Sequence, residues 1–290
     1  MTQFVQLLVS GLAVGSILGI VALGFVLMFK STDVFNFAQG DLVMVGAYLC
    51  LGSLTVLGVS IWVATPVALL LAAVLGLVIY RFLLRPMIGS PLLTMIMVTI
   101  ALSLILQSLV VILWGPHTYT FPSTLPAHVI NVGGVRMSSI DLTIIAVAAL
   151  SIAAFGAFFR FTKLGLHMRA VAENPEAAAV VGINTGRMFV IAIVIATVLA
   201  TIGGILLANL QIVSVGLTAI GLLAFPAAVL GGIRSIPGAV VGGLLIGVIG
   251  QLGSGYLGRG ASTPVTFAVL LLVLLLRPEG ILGKRTVVRV

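Results

Sequence analysis

The chain has 290 residues, of which 61% are hydrophobic and only 7% are charged. Soluble domains carry about 25% charged residues, so this composition excludes a water-facing globular protein and indicates a protein surrounded by lipid. The single cysteine, Cys50, lies in an apolar run and excludes a disulfide framework. The net charge of +8 comes from basic residues near the ends of apolar segments, as membrane insertion requires, and not from a patch for nucleic acid.

Apolar segments recur along the whole chain, and a spanning helix needs about 20 mostly apolar residues. We identify nine of them, at about 4–29, 36–58, 61–80, 92–113, 141–159, 188–212, 218–233, 237–253 and 263–276. The sequence therefore predicts an all-α polytopic membrane protein, a single transmembrane domain over 1–290 with about eight or nine transmembrane helices.

The distribution of Lys and Arg predicts the orientation, because basic residues are retained in cytoplasmic loops. With the N-terminus outside and the C-terminus in the cytoplasm, only Arg136 and Arg259 fall outside. The other twelve basic residues fall inside: Lys30, Arg81, Arg85, Arg160, Lys163, Arg169, Arg187, Arg234, Arg277, Lys284, Arg285 and Arg289.

The order of the segments suggests an inverted repeat. Residues 1–114 form a long helix, a polar break, a second helix and two more, and residues 188–277 follow the same order in the opposite direction. A turn-rich external loop (115–140) and a cytoplasmic loop (160–187) lie between the two halves. Inverted repeats with broken helices are typical of transporters, in which the substrate path lies at the repeat interface.

The polar break between the first two apolar segments interrupts sequence that would otherwise be continuously apolar. It contains Asn36, Phe37, Gln39 and Asp41, and an ionisable group at membrane depth faces the bundle interior or water. One interpretation is that these residues line the translocation path. The other is that Asn36 caps the second helix and Asp41 stabilises its positive N-terminus.

Two further features are candidates for the path. Phe225 and Pro226 interrupt the seventh segment, where the proline removes a backbone hydrogen bond and either opens the backbone to a cavity or kinks a packed helix. Thr99, Ser103 and Gln107 recur every four residues and share one helix face, which either lines the path or hydrogen-bonds a neighbouring helix.

Glycines recur at close spacing in the first and eighth segments, which permits close helix approach and indicates packing. They are Gly11, Gly15 and Gly19 in the first segment, and Gly238, Gly242, Gly243 and Gly247 in the eighth.

The cytoplasmic loop contains a short, capped helix over 175–181. Asn174 suits the N-cap, Pro175 the first position, Glu176 the first turn and Gly182 the C-terminal stop, with Ala177 beginning a mostly alanine face. Such a helix either lies on anionic lipid or docks on a soluble partner, and its small side chains favour docking.

Glu173 lies four residues after Arg169, a spacing that places it to orient the loop helix or to meet a basic group of a partner.

Four ordered stretches resemble the branched-chain amino-acid permeases of ABC importers: 34–48 (VFNFAQGDLVMVGAY), 102–107 (LSLILQ), 169–184 (RAVAENPEAAAVVGIN) and 276–283 (LRPEGILG). The resemblance implies a multi-pass subunit of the bacterial inner membrane. It also implies a second related permease, two cytoplasmic ATPases that bind ATP and Mg, and an external binding protein. The family pattern has His where this chain has Gln39, and often Glu at the position of Asp41. The substrate is therefore open among branched-chain amino acids, urea, short amides and aromatic acids.

No G-x-x-x-x-G-K-[ST] phosphate loop occurs, so the sequence predicts no nucleotide site or catalytic residue in this chain. His117, His128 and His167 are divided between the two membrane sides, and no metal cluster is expected. A passive channel or an ion-coupled transporter for a small solute remains the alternative. A channel leaves the capped loop unexplained, and ion coupling requires charges at mid-membrane beyond Asp41. An intramembrane enzyme lacks paired catalytic groups.

Overall fold

In a computed structural model the structure describes residues 2–32, 35–87, 89–122, 129–132, 135–258 and 260–283. Part of the basic pattern used for orientation lies outside these ranges, namely Arg259, Lys284, Arg285 and Arg289, as does His128.

All nine predicted apolar segments are helical, so the polytopic all-α prediction is confirmed. The helices of the described residues are α1 (Thr2–Thr32), α2 (Gln39–Val56), α3 (Ile61–Ile79), α4 (Leu92–Trp114), α5 (Ser139–Phe161), α6 (Lys163–Glu173), α7 (Pro175–Val180), α8 (Thr185–Ala208), α9 (Ala219–Gly231), α10 (Ile236–Leu257) and α11 (Ser262–Leu276). Seven of these, α1 to α5, α8 and α10, are long and apolar enough to cross a membrane. The shorter α9 and α11 complete the nine.

Three local features depart from the sequence prediction. α3 continues as a π-helical turn, Tyr80–Leu84, and a 3-10 turn, Arg85–Met87. The loop at 115–140 contains a hairpin of β1 (Val129–Val132) and β2 (Val135–Ser138), which pair antiparallel. α6 is a separate helix in the cytoplasmic loop, where only α7 was predicted.

Helix α1 is the centre of the bundle, and its side chains from Ile17 to Val26 are almost all fully buried. It packs closely on α10 because glycines face each other: a Cβ on Gly247 would stand 2.2 Å from the Cα of Gly15, and one on Gly15 would stand 2.9 Å from the Cα of Leu244. The packing interpretation of these glycines is confirmed.

The helix contacts have the pairing that a repeat requires. α1 packs on α10 as α8 packs on α3, α2 packs on α8 as α9 packs on α1, and α2 packs on α4 as α9 packs on α11. If α1 is exchanged with α8 and α2 with α9, the contacts α1–α8 and α2–α9 are unchanged. An exchange of α1–α4 with α8–α11 therefore preserves these contacts, whereas the repeat limits at 1–114 and 188–277 stay a prediction.

The orientation can be tested by labelling, because Cys50 is buried and contributes little background. We expect Trp62→Cys, at a side chain that is 85% exposed, to react with a membrane-impermeant maleimide from outside the cell. Val180→Cys, at a side chain that is 88% exposed, should react only after permeabilisation. The reverse pattern would show that the N-terminus lies in the cytoplasm.

Candidate functional site

Helix α2 begins in the interior of the bundle. The side-chain amide nitrogen of Gln39 donates to the carbonyl of Ala196, 3.3 Å away and near the midpoint of α8. The turn before it is local: the Ala38 N–H donates to Asn36 Oδ1 at 3.1 Å, and the Gln39 N–H donates to the Asn36 carbonyl at 3.1 Å. The expected start at residue 36 was therefore three residues too early, and Asn36 stabilises the turn before the helix instead of capping it.

Helix α9 begins directly against the start of α2. A Cβ on Gly40 would stand 2.4 Å from the Thr218 carbonyl oxygen and 2.9 Å from the Cα of Gly221. A 3-10 turn, Val215–Thr218, precedes α9. The helix continues through Phe225 and Pro226, so of the two interpretations the proline lies within a packed helix, and the second break lies before α9. The N-termini of two helices meet at this point, which we call the junction.

Aromatic side chains cover the junction. The Phe225 ring stacks on Phe37 with centroids 6.3 Å apart, and it meets Phe35 edge to face at 5.6 Å. Phe37 remains 45% exposed, whereas Pro226 is buried. The structure thus brings the two predicted breaks together through their aromatic residues.

Asp41 connects the junction to α4. Its Oδ1 accepts a hydrogen bond from Gln107 Nε2 at 2.8 Å, and the same nitrogen lies 3.2 Å from Ser103 Oγ. Thr99 Oγ1 donates to the Ile96 carbonyl at 2.9 Å and lies 3.5 Å from the Phe35 carbonyl. The polar stripe of α4 therefore bonds across to the first break. Asp41 also lies in the first turn of α2, where a carboxylate is electrostatically favoured.

Gln39 lies apart from this network. It is fully buried, and its Oε1 has no hydrogen-bond partner among the described residues. Gln39 also packs tightly on Gly24 of α1, where a Cβ would stand 2.2 Å from the Nε2 atom of Gln39. Gln39 therefore packs between α1 and α8, whereas Asp41 faces α4.

The capped helix in the loop at 160–187 is present as predicted. The Ala177 N–H donates to Asn174 Oδ1 at 2.9 Å, and Pro175 opens α7 with Glu176 in its first turn. At the other end, Gly182 adopts φ +85° and its N–H donates to the Ala179 carbonyl at 3.0 Å. The helix ends one residue earlier than expected, at Val180. Val180 and Val181 are 88% and 74% exposed, so the tip of the loop is apolar.

Arg169 and Glu173 do not pair with each other in the structure, contrary to their spacing. The Arg169 guanidinium donates to the Phe159 carbonyl and lies over the Phe159 ring at 5.6 Å. Glu173 Oε1 lies 3.9 Å from Lys30 Nζ in the last turn of α1. These contacts hold α6 in place, because Arg169 binds to α5 and Glu173 binds to α1.

Sequence reasoning missed Lys30, Phe35, Gly40 and Gly221. The glycines carried a signal, since a glycine stands beside each break and permits close backbone approach. Lys30 carried none beyond its charge, because its partner is distant in sequence. No group of three metal-ligating side chains occurs in the described part of the chain.

Comparison with known proteins gives a consistent family. A family model described as the branched-chain amino acid transport system permease component matches residues 7–276. The high-affinity branched-chain amino acid transport system permease protein LivH of Escherichia coli K12 is 34% identical over 303 residues, covering 99% of this chain and 98% of LivH. BraD of Pseudomonas aeruginosa is 33% identical over 302 residues, with coverage of 99% and 98%.

A more distant relative and a solved structure extend the match. The probable permease LivH of Methanocaldococcus jannaschii is 28% identical, over 92% of this chain and 89% of the relative. PsaBC from Streptococcus pneumoniae in complex with Fab has a TM-score of 0.51 with 12% identity, over 96% of this chain and 93% of that chain, which supports the fold alone. These matches support a transport permease over a passive channel or an ion-coupled transporter. The chain is a multi-pass protein of the inner membrane and belongs to the branched-chain amino acid transport permease family.

Proposed function

We propose that the chain is one permease subunit of an ATP-driven ABC importer and forms half of a path for branched-chain amino acids or similar small polar solutes. The family match over residues 7–276 carries this proposal. In it, two cytoplasmic ATPase subunits bind ATP and Mg and hydrolyse ATP, so this chain needs no cofactor or catalytic site. A second related permease completes the path, and an external binding protein delivers the solute.

The junction is the proposed part of the path in this subunit. It unites a half-exposed aromatic surface at Phe37 and Phe225 with the Asp41, Ser103 and Gln107 network. Aromatic rings suit apolar side chains, while amide and carboxylate groups suit the polar end of an amino acid. Because α2 and α9 each begin here, a small rotation of either helix changes the shape of the junction.

Gln107→Leu tests the network. The change removes the donor that lies 2.8 Å from the buried Asp41 carboxylate, and an unsatisfied buried group costs about 1–3 kcal/mol. We expect a lower thermal unfolding temperature in detergent and slower uptake of radiolabelled leucine. Ser108→Leu is the matched control, since Ser108 is exposed on the same helix. The double variant Asp41→Leu/Gln107→Leu should recover part of the lost stability, and additive losses would contradict the contact.

Gln39→Leu tests the opposite face of α2. The substitution removes the bond to the Ala196 carbonyl but also removes the buried oxygen that lacks a partner, so assembly should survive. We expect reduced uptake at normal amounts of assembled complex, because the link between the start of α2 and the middle of α8 is lost. Unchanged uptake would make Gln39 a packing residue only.

The helix α7 is the proposed contact with an ATPase subunit. Its alanine face and the exposed Val180 and Val181 form a small apolar tip held by caps at both ends. Exposed apolar surface on a charged cytoplasmic loop is typical of a protein interface. Lys30 and Arg169 attach the neighbouring α6 to the bundle, so force on α7 is transmitted to α1 and α5.

Gly182→Val tests this coupling. A Cβ at position 182 meets nothing within 4 Å, so the substitution acts through the positive φ of +85° alone. The left-handed conformation costs a residue with a Cβ about 1–2 kcal/mol, which should displace α7 without affecting the spans. We expect an inserted protein with weaker pull-down of the ATPase and loss of substrate-stimulated ATP hydrolysis.

Gly182→Asn is the matched control, since Asn tolerates the left-handed region. It should retain most of the stimulation. Normal pull-down and stimulation in Gly182→Val would reject the docking assignment and return the loop to a position on the lipid surface.

A further inference from the structure

A large cavity lies between α5 and α10, away from the junction. Its volume is about 930 Å³. Both helices pack against α1, and Leu23 of α1 contributes to the lining of the cavity between them. A Cβ on Gly156 of α5 would meet no atom within 4 Å, so the cavity is open beside this residue. The cavity is therefore a cleft along the side of the bundle.

The cleft has a charged end and an apolar shaft. Lys30, Arg160 and Arg234 line it at three helix ends that lie together: the last turns of α1 and α5 and the turn before α10. Among the described residues of the lining Glu173 is the one carboxylate, so these residues carry a net charge of +2. Apolar residues line the remainder, within the spanning part of the helices: Leu23, Ile152, Phe155, Val240 and Val241.

We propose that this cleft binds one anionic phospholipid, with its phosphate at the basic end and an acyl chain along the apolar shaft. The polarity gradient runs along the helices, as it does in a lipid. Basic pockets between transmembrane helices at the cytoplasmic side bind anionic head groups, and the basic pattern of the sequence predicts that side here. A free anion gains nothing from the apolar shaft, and a protein segment on this face would need its own acidic end to match the three cations.

The lipid would act on the coupling loop. Lys30 already contacts Glu173 of α6 at 3.9 Å, and Arg160 belongs to the helix turn on which Arg169 is anchored. A phosphate at this end shares Lys30 with Glu173, so an occupied cleft holds the ends of α1, α5 and α6 in one arrangement.

The experiment measures retained lipid on the purified full-length chain by native mass spectrometry, after incubation with vesicles of phosphatidylglycerol or of phosphatidylcholine. We expect selective retention of phosphatidylglycerol. Removing one cation with Arg160→Gln should reduce retention about fivefold, while Arg277→Gln, at the exposed end of α11, should leave it unchanged. Equal loss in both variants would show diffuse surface attraction and overturn the site.

Variants that change the shape of the cleft and not its charge provide a second, independent test. Gly156→Leu should narrow the cleft beside α5 and reduce retention, and Gly156→Ala should preserve it, with thermal unfolding confirming that both fold. Full retention in a folded Gly156→Leu protein would overturn the proposal.

Two other occupants are also distinguished. Competition by glycerol phosphate as strong as that by phosphatidylglycerol would assign the basic end to a free anion. Crosslinking of Gly156→Cys between permease subunits in the assembled complex would assign the cleft to a subunit interface. Either result would overturn lipid binding.

Discussion

Within a bilayer every backbone N–H and C=O must be bonded inside the protein, and this constraint shapes the junction. The first N–H groups of a helix lack partners in that helix, yet α2 and α9 both begin inside the bundle. At α2 the carbonyl and side chain of Asn36 accept from Gln39 and Ala38. Before α9 a 3-10 turn provides local backbone hydrogen bonds, in which the Leu217 N–H donates to the Ser214 carbonyl at 3.1 Å. Asn36 is therefore required by the backbone at the start of α2.

The sequence predicted best the features that depend on solvent or on local chemistry. Lipid imposes apolar composition, so all nine helical segments were found, and the caps at Asn174 and Gly182 are set by residues within one turn. The start of α9 was predicted to within one residue, but the break was assigned to Pro226 because proline is a strong local signal, whereas the interruption lies before α9, where the chain contacts Gly40. The partners of Arg169 and Glu173 could not be predicted, since each meets a residue distant in sequence that spacing cannot reveal.

The end of α1 connects the cytoplasmic loop to the junction. Lys30 contacts Glu173 of α6, and one residue earlier the Phe29 ring lies 4.4 Å from that of Phe35 in the first break. Phe35 in turn contacts Phe225 of α9. A displacement of α6 therefore acts on packed rings before the start of α2 and near the middle of α9. Packed side chains respond to such displacement by changing between discrete arrangements. The lipid cleft adjoins the same lysine, so headgroup binding and loop position are linked through one side chain.

The charges of the junction limit where energy can enter. Among its described residues Asp41 is the one titratable side chain, and neutral donors on α4 satisfy it. Gln39 does not titrate, in contrast to a histidine, whose charge changes near neutral pH. Ion-coupled transport requires charged groups that exchange partners at membrane depth, and a single carboxylate bonded to an amide provides no such exchange. In the proposed importer, the driving force reaches the junction from outside the spanning region, through the capped, apolar α7.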